Sequence, residues 1–137
     1  MKLGSNLIEA ANRAEATALL IRCGYKVYRP EADDNGEDLV IRRNGELIAV
    51  QLKGRATVDA PRYGGKGLWM LFPSAVYHPG RARRWYLAPH DVLYAYIEVK
   101  HGTTPKWSQS WSYPQLPMHL AHFLKPYDIR PAAELQG

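Results

Sequence analysis

An Asn44-Gly45 step between two apolar runs constrains the folding of this chain more than any other feature. Asn-Gly is the strongest short-range hairpin signal, because a type I′ turn needs positive φ at both central residues and these two residues tolerate it best. The runs at 39–41 and 47–53 are rich in aliphatic and β-branched residues, as strands are. The sequence therefore predicts an antiparallel hairpin closed by a two-residue turn.

The register of this hairpin brings polar side chains together. A two-residue turn places Asp38 directly opposite Gln51. Side chains alternate along a strand, so Gln51 and Lys53 share one face, and Asp38 joins them because opposed residues point the same way. The other face of the return strand is apolar and is expected to face the core: Ile48, Val50 and Leu52. The polar cluster indicates either an edge strand half in water or an active site.

Elements on both sides of the hairpin predict an α/β (α+β) fold. Good helix formers, with a capping-box spacing of Asn6 and Glu9, predict a helix over 6–23 that Gly24 ends as a C′ residue. Strands are predicted at 25–28, 68–72 and 85–87, and short helices at 89–97 and 117–124. We expect a single domain over 1–137, built on one mixed sheet.

Three segments resemble the core of the PD-(D/E)XK nucleases: GYKVYRP at 24–30, GEDLVI at 36–41 and ELIAVQLK at 46–53. They are similar especially to the intron-encoded homing nucleases of that superfamily and, more distantly, to the archaeal Holliday-junction resolvases. Glu37 stands where most members have Pro, and Gln51 replaces the acidic residue, as it does in some restriction enzymes and homing nucleases. The resemblance implies a restriction-endonuclease fold, with a central mixed β-sheet flanked by helices, and hydrolysis of DNA.

The resemblance also implies roles for the polar cluster. Asp38 would bind a divalent metal ion, Gln51 would supply a neutral oxygen, and the Leu52 carbonyl would supply a second. Such hard oxygen ligands suit Mg²⁺ or Mn²⁺. Lys53 would orient or deprotonate the attacking water, or stabilise the transition state. The ordinary alternative for Lys53 is a salt bridge to Asp38.

Members of the superfamily also use a glutamate from the first helix, and this helix offers two candidates. Glu9 lies on the helix face of Ala16 and Leu20, which is the face that usually meets the sheet. Glu15 lies about half a turn away from that face. The sequence leaves the choice between Glu9 and Glu15 open, and the ordinary alternative for both is a solvated helix residue.

The chain is basic, with a formal net charge of +5. A basic domain of this size often binds a polyanion. The residues expected to contact DNA phosphates follow the hairpin: Arg55, Arg62, Lys66, Arg83 and Arg84. The ordinary alternative is that these charges are simply solvated.

These features together predict a divalent-metal-dependent DNA endonuclease. Two alternatives stay open: a catalytically inactive nucleic-acid-binding domain of the same fold, and a soluble interaction module whose charge is incidental. The single cysteine, Cys23, excludes an intramolecular disulfide and favours a cytoplasmic setting. No segment approaches the ~20 apolar residues of a membrane span. One such site cuts one strand, so double-strand cutting would suggest a homodimer or higher oligomer.

Overall fold

A computed structural model describes residues 3–32 and 36–131 of the chain. The helices are α1 (Ser5–Arg22), α2 (Ala60–Tyr63), α3 (His90–His101) and α4 (Met118–Phe123), followed by a 3-10 turn at Lys125–Tyr127. The strands are β1 (Lys26–Tyr28), β2 (Leu39–Arg43), β3 (Glu46–Leu52), β4 (Ala56–Asp59), β5 (Trp69–Pro73), β6 (Trp85–Pro89) and β7 (Ser110–Tyr113). Five strands form a central sheet in the order β1-β2-β3-β5-β6, and β4 pairs with β7 in a separate sheet.

The central sheet is mixed, as predicted. β1, β2 and β3 are antiparallel, β3 and β5 are parallel with Leu52 beside Leu71, and β6 is antiparallel to β5. One face of the sheet packs against α1 through a cluster that includes Ala16, Leu20, Ile41 and Val50. The other face packs against α3 and α4 through a cluster that includes Phe72, Ala88, Leu93 and Leu120. The middle of the sheet is therefore buried on both faces, whereas Leu47 near the hairpin turn is 67% exposed.

The turn between β2 and β3 has the predicted geometry. The φ angle is 54° at Asn44 and 83° at Gly45, as a type I′ turn requires. The ladder pairs Leu39 with Val50, so the predicted register is confirmed. The predicted core face of β3 packs in the cluster beneath α1: Ile48, Val50 and Leu52.

Helix α1 begins one residue earlier than predicted. Gly4 is its N-cap, and no described side chain caps the helix, so the predicted capping box of Asn6 and Glu9 is wrong. At the other end Gly24 adopts a φ of 91°, which confirms its C′ role. In the part of the chain that the structure describes, no helix combines the length and apolar character that a bilayer span requires.

The second sheet is not predicted from the sequence, and it packs against the end of α3 through His101. The His101 ring stacks on Trp111 with ring centroids 4.1 Å apart, and its Nε2 lies 2.6 Å from the Tyr113 hydroxyl. Burial, and then the nearby charges of His119 and Lys100, lower the pKa of His101. Burial also raises the pKa of Tyr113 to about 12. Both shifts favour the neutral forms of these two side chains.

Candidate active site

The end of the hairpin holds Asp38 beside the last residues of β3. Regular pairing stops at Leu39, and the Asp38 N–H donates to the carbonyl of Val50 at 2.8 Å. The Asp38 carboxylate oxygen Oδ2 accepts a hydrogen bond from the N–H of Leu52 at 3.0 Å. Both the backbone and the side chain of Asp38 are thus tied to β3.

A pocket of about 310 Å³ opens at this end of the sheet. Asp38, Gln51 and Lys53 all line it, together with Leu52. Gln51 is only 8% exposed, because the sheet is covered on both faces. The structure therefore brings the three polar residues of the predicted cluster into one concave site.

Helix α1 contributes one of the two candidate glutamates to this pocket. Glu9 lines it with Asp38. Glu15 instead accepts hydrogen bonds from Arg83 Nη2 at 2.7 Å and from Trp85 Nε1 at 2.8 Å. Glu15 therefore ties α1 to the start of β6, and the structure does not bring it to the site.

Lys53 reaches the pocket from the position just after β3. Its N–H donates to the carbonyl of Leu71 at 2.9 Å, which extends the parallel ladder. Its ammonium nitrogen lies 5.3 Å from the centre of the Tyr63 ring, and the guanidinium of Arg62 lies 5.3 Å from the same centre. Among the described residues Lys53 forms no ion pair. The salt bridge to Asp38 that was its ordinary alternative is therefore not observed.

The basic residues expected to contact DNA divide into exposed and buried ones. Four are exposed: Arg55, Arg62, Lys66 and Arg84. The side chain of Arg83 is 0% exposed, and its guanidinium donates to the Ala75 carbonyl at 3.0 Å, to Asn12 Oδ1 at 2.8 Å and to Glu15 Oε2 at 2.7 Å. The Arg83 side chain is therefore not placed to contact DNA as predicted, since its guanidinium is buried and both of its Nη groups donate inside the fold.

The oxygen atoms of the pocket are suited to a hard divalent cation. Asp38 and Glu9 offer carboxylate oxygens, and Gln51 and Leu52 offer amide and carbonyl oxygens. Oxygen ligands of this kind are those that Mg²⁺ and Mn²⁺ prefer. Within residues 3–32 and 36–131, no three His, Cys, Asp or Glu side chains group together as metal ligands. Among these described residues, two carboxylates would hold an ion in the pocket, together with neutral protein oxygens.

Three further polar residues line the pocket without having been predicted as part of a site: Asn12, Arg13 and Arg29. Asn12 continues the buried stripe of Ala16 and Leu20 on α1. Asn12 could have been identified from the sequence, because it is a polar residue at helical spacing within an apolar stripe. Arg29 follows β1, and its Nη2 donates to the hydroxyl of Thr17 at 3.2 Å, which fixes it against α1.

Comparison with solved structures finds a similar fold in a bacterial homing endonuclease, I-Ssp6803I. The TM-score is 0.55 at 19% sequence identity, and the match covers 98% of this chain and 91% of that chain. No protein-family model matches the sequence, and no curated protein matches it. The similarity shows a shared mixed α+β fold over nearly the full length of both chains.

Proposed function

We propose that this chain is a divalent-metal-dependent DNA endonuclease with a PD-(D/E)XK active site. The observation that carries the proposal is the presence of Asp38, Glu9, Gln51 and Lys53 in one pocket at the end of the sheet. The homing endonuclease that shares the fold supports DNA as the substrate. The side chains of this pocket would supply the oxygen ligands and the ammonium group that phosphodiester hydrolysis uses.

The pocket residues would have two roles in hydrolysis, which are metal binding and positioning of the attacking water. Asp38 and Glu9, with neutral oxygens from Gln51 and Leu52, would hold Mg²⁺ or Mn²⁺. Such an ion supplies charge stabilisation at the phosphate and lowers the pKa of bound water. Lys53 carries three N–H donors, which orient the attacking water or hold a phosphate oxygen. Water attacks phosphorus as the bond to the leaving sugar oxygen breaks.

Cationic side chains around the pocket support binding of the DNA backbone. Arg13 and Arg29 line the pocket itself. The Arg62 guanidinium and the Lys53 ammonium group both lie near the ring of Tyr63. Arg55, two residues after Lys53, is exposed. Arginine and lysine at such positions bind phosphates independently of base sequence.

One observation favours a second candidate, a catalytically inactive DNA-binding domain of the same fold. Gln51 is buried and uncharged where the superfamily usually has a carboxylate. In the part of the chain that the structure describes, Asp38 and Glu9 are then the two carboxylates that line the pocket. An inactive domain would bind DNA through the same cations without hydrolysing it.

Metal-dependent cleavage is the test of the proposed function. Supercoiled plasmid and a random-sequence duplex library are incubated with Mg²⁺, with Mn²⁺ or with EDTA, and we expect cutting only with the metal ions. Asp38→Asn should abolish cutting, because the amide lacks the negative charge that holds the metal ion. The amide oxygen can still accept the hydrogen bond from the Leu52 N–H, so the local structure should be kept. Glu46→Gln, which alters an exposed carboxylate at the other end of β3, is the matched control and should cut like the parent.

The outcomes of this assay separate the two candidates. Cleavage that persists in EDTA, or in Asp38→Asn, contradicts the metal mechanism. A parent chain that cuts neither these substrates nor a duplex with an unpaired nucleotide, but binds DNA with a salt-dependent affinity, favours the inactive domain. Nicked rather than linear plasmid indicates one active site acting on one strand.

A further inference from the structure

A second cavity, of about 600 Å³, adjoins the candidate active site. The two cavities share a wall formed by Asn12, Lys53 and Gly54. Beyond this wall the lining is largely apolar and includes Ile8 and Val76. A group in the second cavity can therefore belong to the same molecule as a phosphate in the first.

The amide of Asn12 presents its nitrogen at this shared wall. The Arg83 guanidinium is buried and carries only donors, so the Asn12 oxygen must face it, 2.8 Å from Nη2. The Asn12 nitrogen is directed to Gly54, where an added Cβ would lie 3.0 Å from it. Among the described residues that nitrogen has no hydrogen-bond partner. The wall therefore carries an N–H donor of fixed orientation, suited to an anionic or carbonyl oxygen.

An aromatic side chain forms part of the same cavity. Tyr77 lines it, and the Arg83 guanidinium lies 5.4 Å from the centre of the Tyr77 ring. Because Arg83 is held by Glu15 at 2.7 Å, the ring is supported by a rigid group. A tyrosine that lines a cavity can stack with a nucleic-acid base whatever the sequence, since every base has a π face.

Cationic and ionisable side chains border the cavity. Lys53, Arg55 and His78 line it, and both Arg55 and His78 are exposed. An apolar interior with an aromatic wall and a cationic border matches a nucleotide, which joins a planar base to an anionic phosphate.

We propose that this cavity is a subsite for the nucleotide next to the scissile phosphate, with the base against Tyr77 and the phosphate at Lys53 and Asn12. The inference rests on the proposed function and specifies which kind of DNA the enzyme would cut. A base must leave the duplex stack to enter such a cavity, and the cost is least when the base is mismatched or already unpaired. The favoured substrate is therefore DNA with an unpaired nucleotide beside the cut.

Two small probes test the subsite on the full chain, by titration calorimetry in EDTA. One is a deoxynucleoside bisphosphate with a phosphate on each sugar hydroxyl, and the other is the same sugar bisphosphate without a base. We expect the base to tighten binding about tenfold, within the range of base–aromatic stacking. Tyr77→Ala should remove this difference and Tyr77→Phe should keep it. Tyr28→Ala, at a tyrosine on β1 that is 43% exposed, is the control and should change nothing.

The parent chain alone can overturn the proposal, so the test does not depend on the folding of Tyr77→Ala. Equal binding of the two probes, or no binding of either, rejects the subsite. Metal-dependent cleavage combined with equal probe binding rejects the subsite and leaves the proposed function intact. Base-dependent probe binding in a chain that cuts no DNA rejects the proposed function and, with it, a place for this base beside a scissile phosphate.

Discussion

The carboxylate of Asp38 accepts a hydrogen bond from the backbone N–H of Leu52, with 3.0 Å between Oδ2 and the nitrogen. A second bond, from the Asp38 N–H to the Val50 carbonyl at 2.8 Å, ties the same residue to β3 through its backbone. These two contacts fix the carboxylate relative to the strand end that leads into Lys53. The position of Asp38 in the pocket is therefore set by its contacts with the last residues of β3.

The first prediction separates the structural and catalytic roles of Asp38. Asp38→Ala should lower the free energy of unfolding by about 1–2 kcal/mol, because the Leu52 N–H loses its acceptor. Asp38→Asn keeps an acceptor and should change the stability by about 0.5 kcal/mol or less. Both should abolish cleavage. Urea unfolding and the plasmid assay measure the two effects, and equal stability of the variants would show that the hydrogen bond contributes little.

The second prediction concerns the two glutamates of α1. Substitution of only one of them by alanine should abolish cleavage. Glu9→Ala should abolish cutting and leave stability within about 0.5 kcal/mol, since Glu9 is exposed and lines the pocket. Glu15→Ala should cost roughly 3 kcal/mol, because it leaves the buried guanidinium of Arg83 without its carboxylate. This loss of stability is at the low end for breaking a buried ion pair, because the Glu15 side chain is 35% exposed and water screens part of the interaction.

Cleavage at a low temperature distinguishes the effects of these two variants. Folded Glu15→Ala should cut at a rate close to that of the parent, whereas folded Glu9→Ala should not cut. The reverse pattern would assign the helix carboxylate to Glu15.

A third prediction uses salt to separate exposed from buried arginines. Arg62→Ala should reduce the slope of log affinity against log salt by about one unit, because a phosphate contact is lost. Arg42→Ala, at an exposed arginine on the hairpin, is the matched control and should leave the slope unchanged. Arg83→Ala should destabilise the fold by roughly 3 kcal/mol without changing the slope, since its side chain is buried. A reduced slope in folded Arg83→Ala would contradict its internal role.

The fourth prediction assigns Lys53 to chemistry rather than to metal binding. Lys53→Met should reduce the cleavage rate by about 100-fold or more, the usual effect of removing a group that acts in the transition state. Mn²⁺ binding should persist, because an ammonium group cannot be a metal ligand. Calorimetric titration with Mn²⁺ and the plasmid assay measure the two properties. Loss of Mn²⁺ binding in the folded variant would mean that Lys53 organises the metal site.

A fifth prediction follows from the lowered pKa of His101. The unfolded chain binds a proton at this residue near pH 6.5, whereas the folded chain binds it only at lower pH. Stability should therefore decrease as the pH falls below about 6.5. His101→Gln should show a smaller decrease between pH 7 and pH 5 than the parent. Parallel stability curves for the two proteins would show that His101 contributes nothing to this dependence.

The hairpin could be predicted from local sequence because its determinants are all neighbours. Asn44 and Gly45 select the turn, and the turn sets the pairing of Leu39 with Val50. The clustering of Asp38 with Gln51 and Lys53 follows from that register, since strand side chains alternate with a period of two. The C′ role of Gly24 was predictable for the same reason.

The second sheet could not be predicted in this way. β4 and β7 pair Ala56 with Tyr113 and Asp59 with Ser110, and neither strand has a turn that joins it to the other. The burial of two adjacent arginines could not be predicted from the sequence either. The Arg83 side chain is fully buried, whereas the Arg84 side chain is 57% exposed. Residue type and charge are identical at these two positions, and only the surrounding fold distinguishes them.

By itself, the sequence determined the hairpin, its register and the meeting of Asp38, Gln51 and Lys53 at one end of the sheet. Only the tertiary structure decided that Glu9 enters this pocket while Glu15 binds Arg83 and Trp85. That choice depends on contacts between residues 68 and 70 positions apart in the chain. Helical and strand periodicities describe neighbours within a few residues, so they cannot show how α1 is rotated against β6, and this rotation sets which glutamate faces the site.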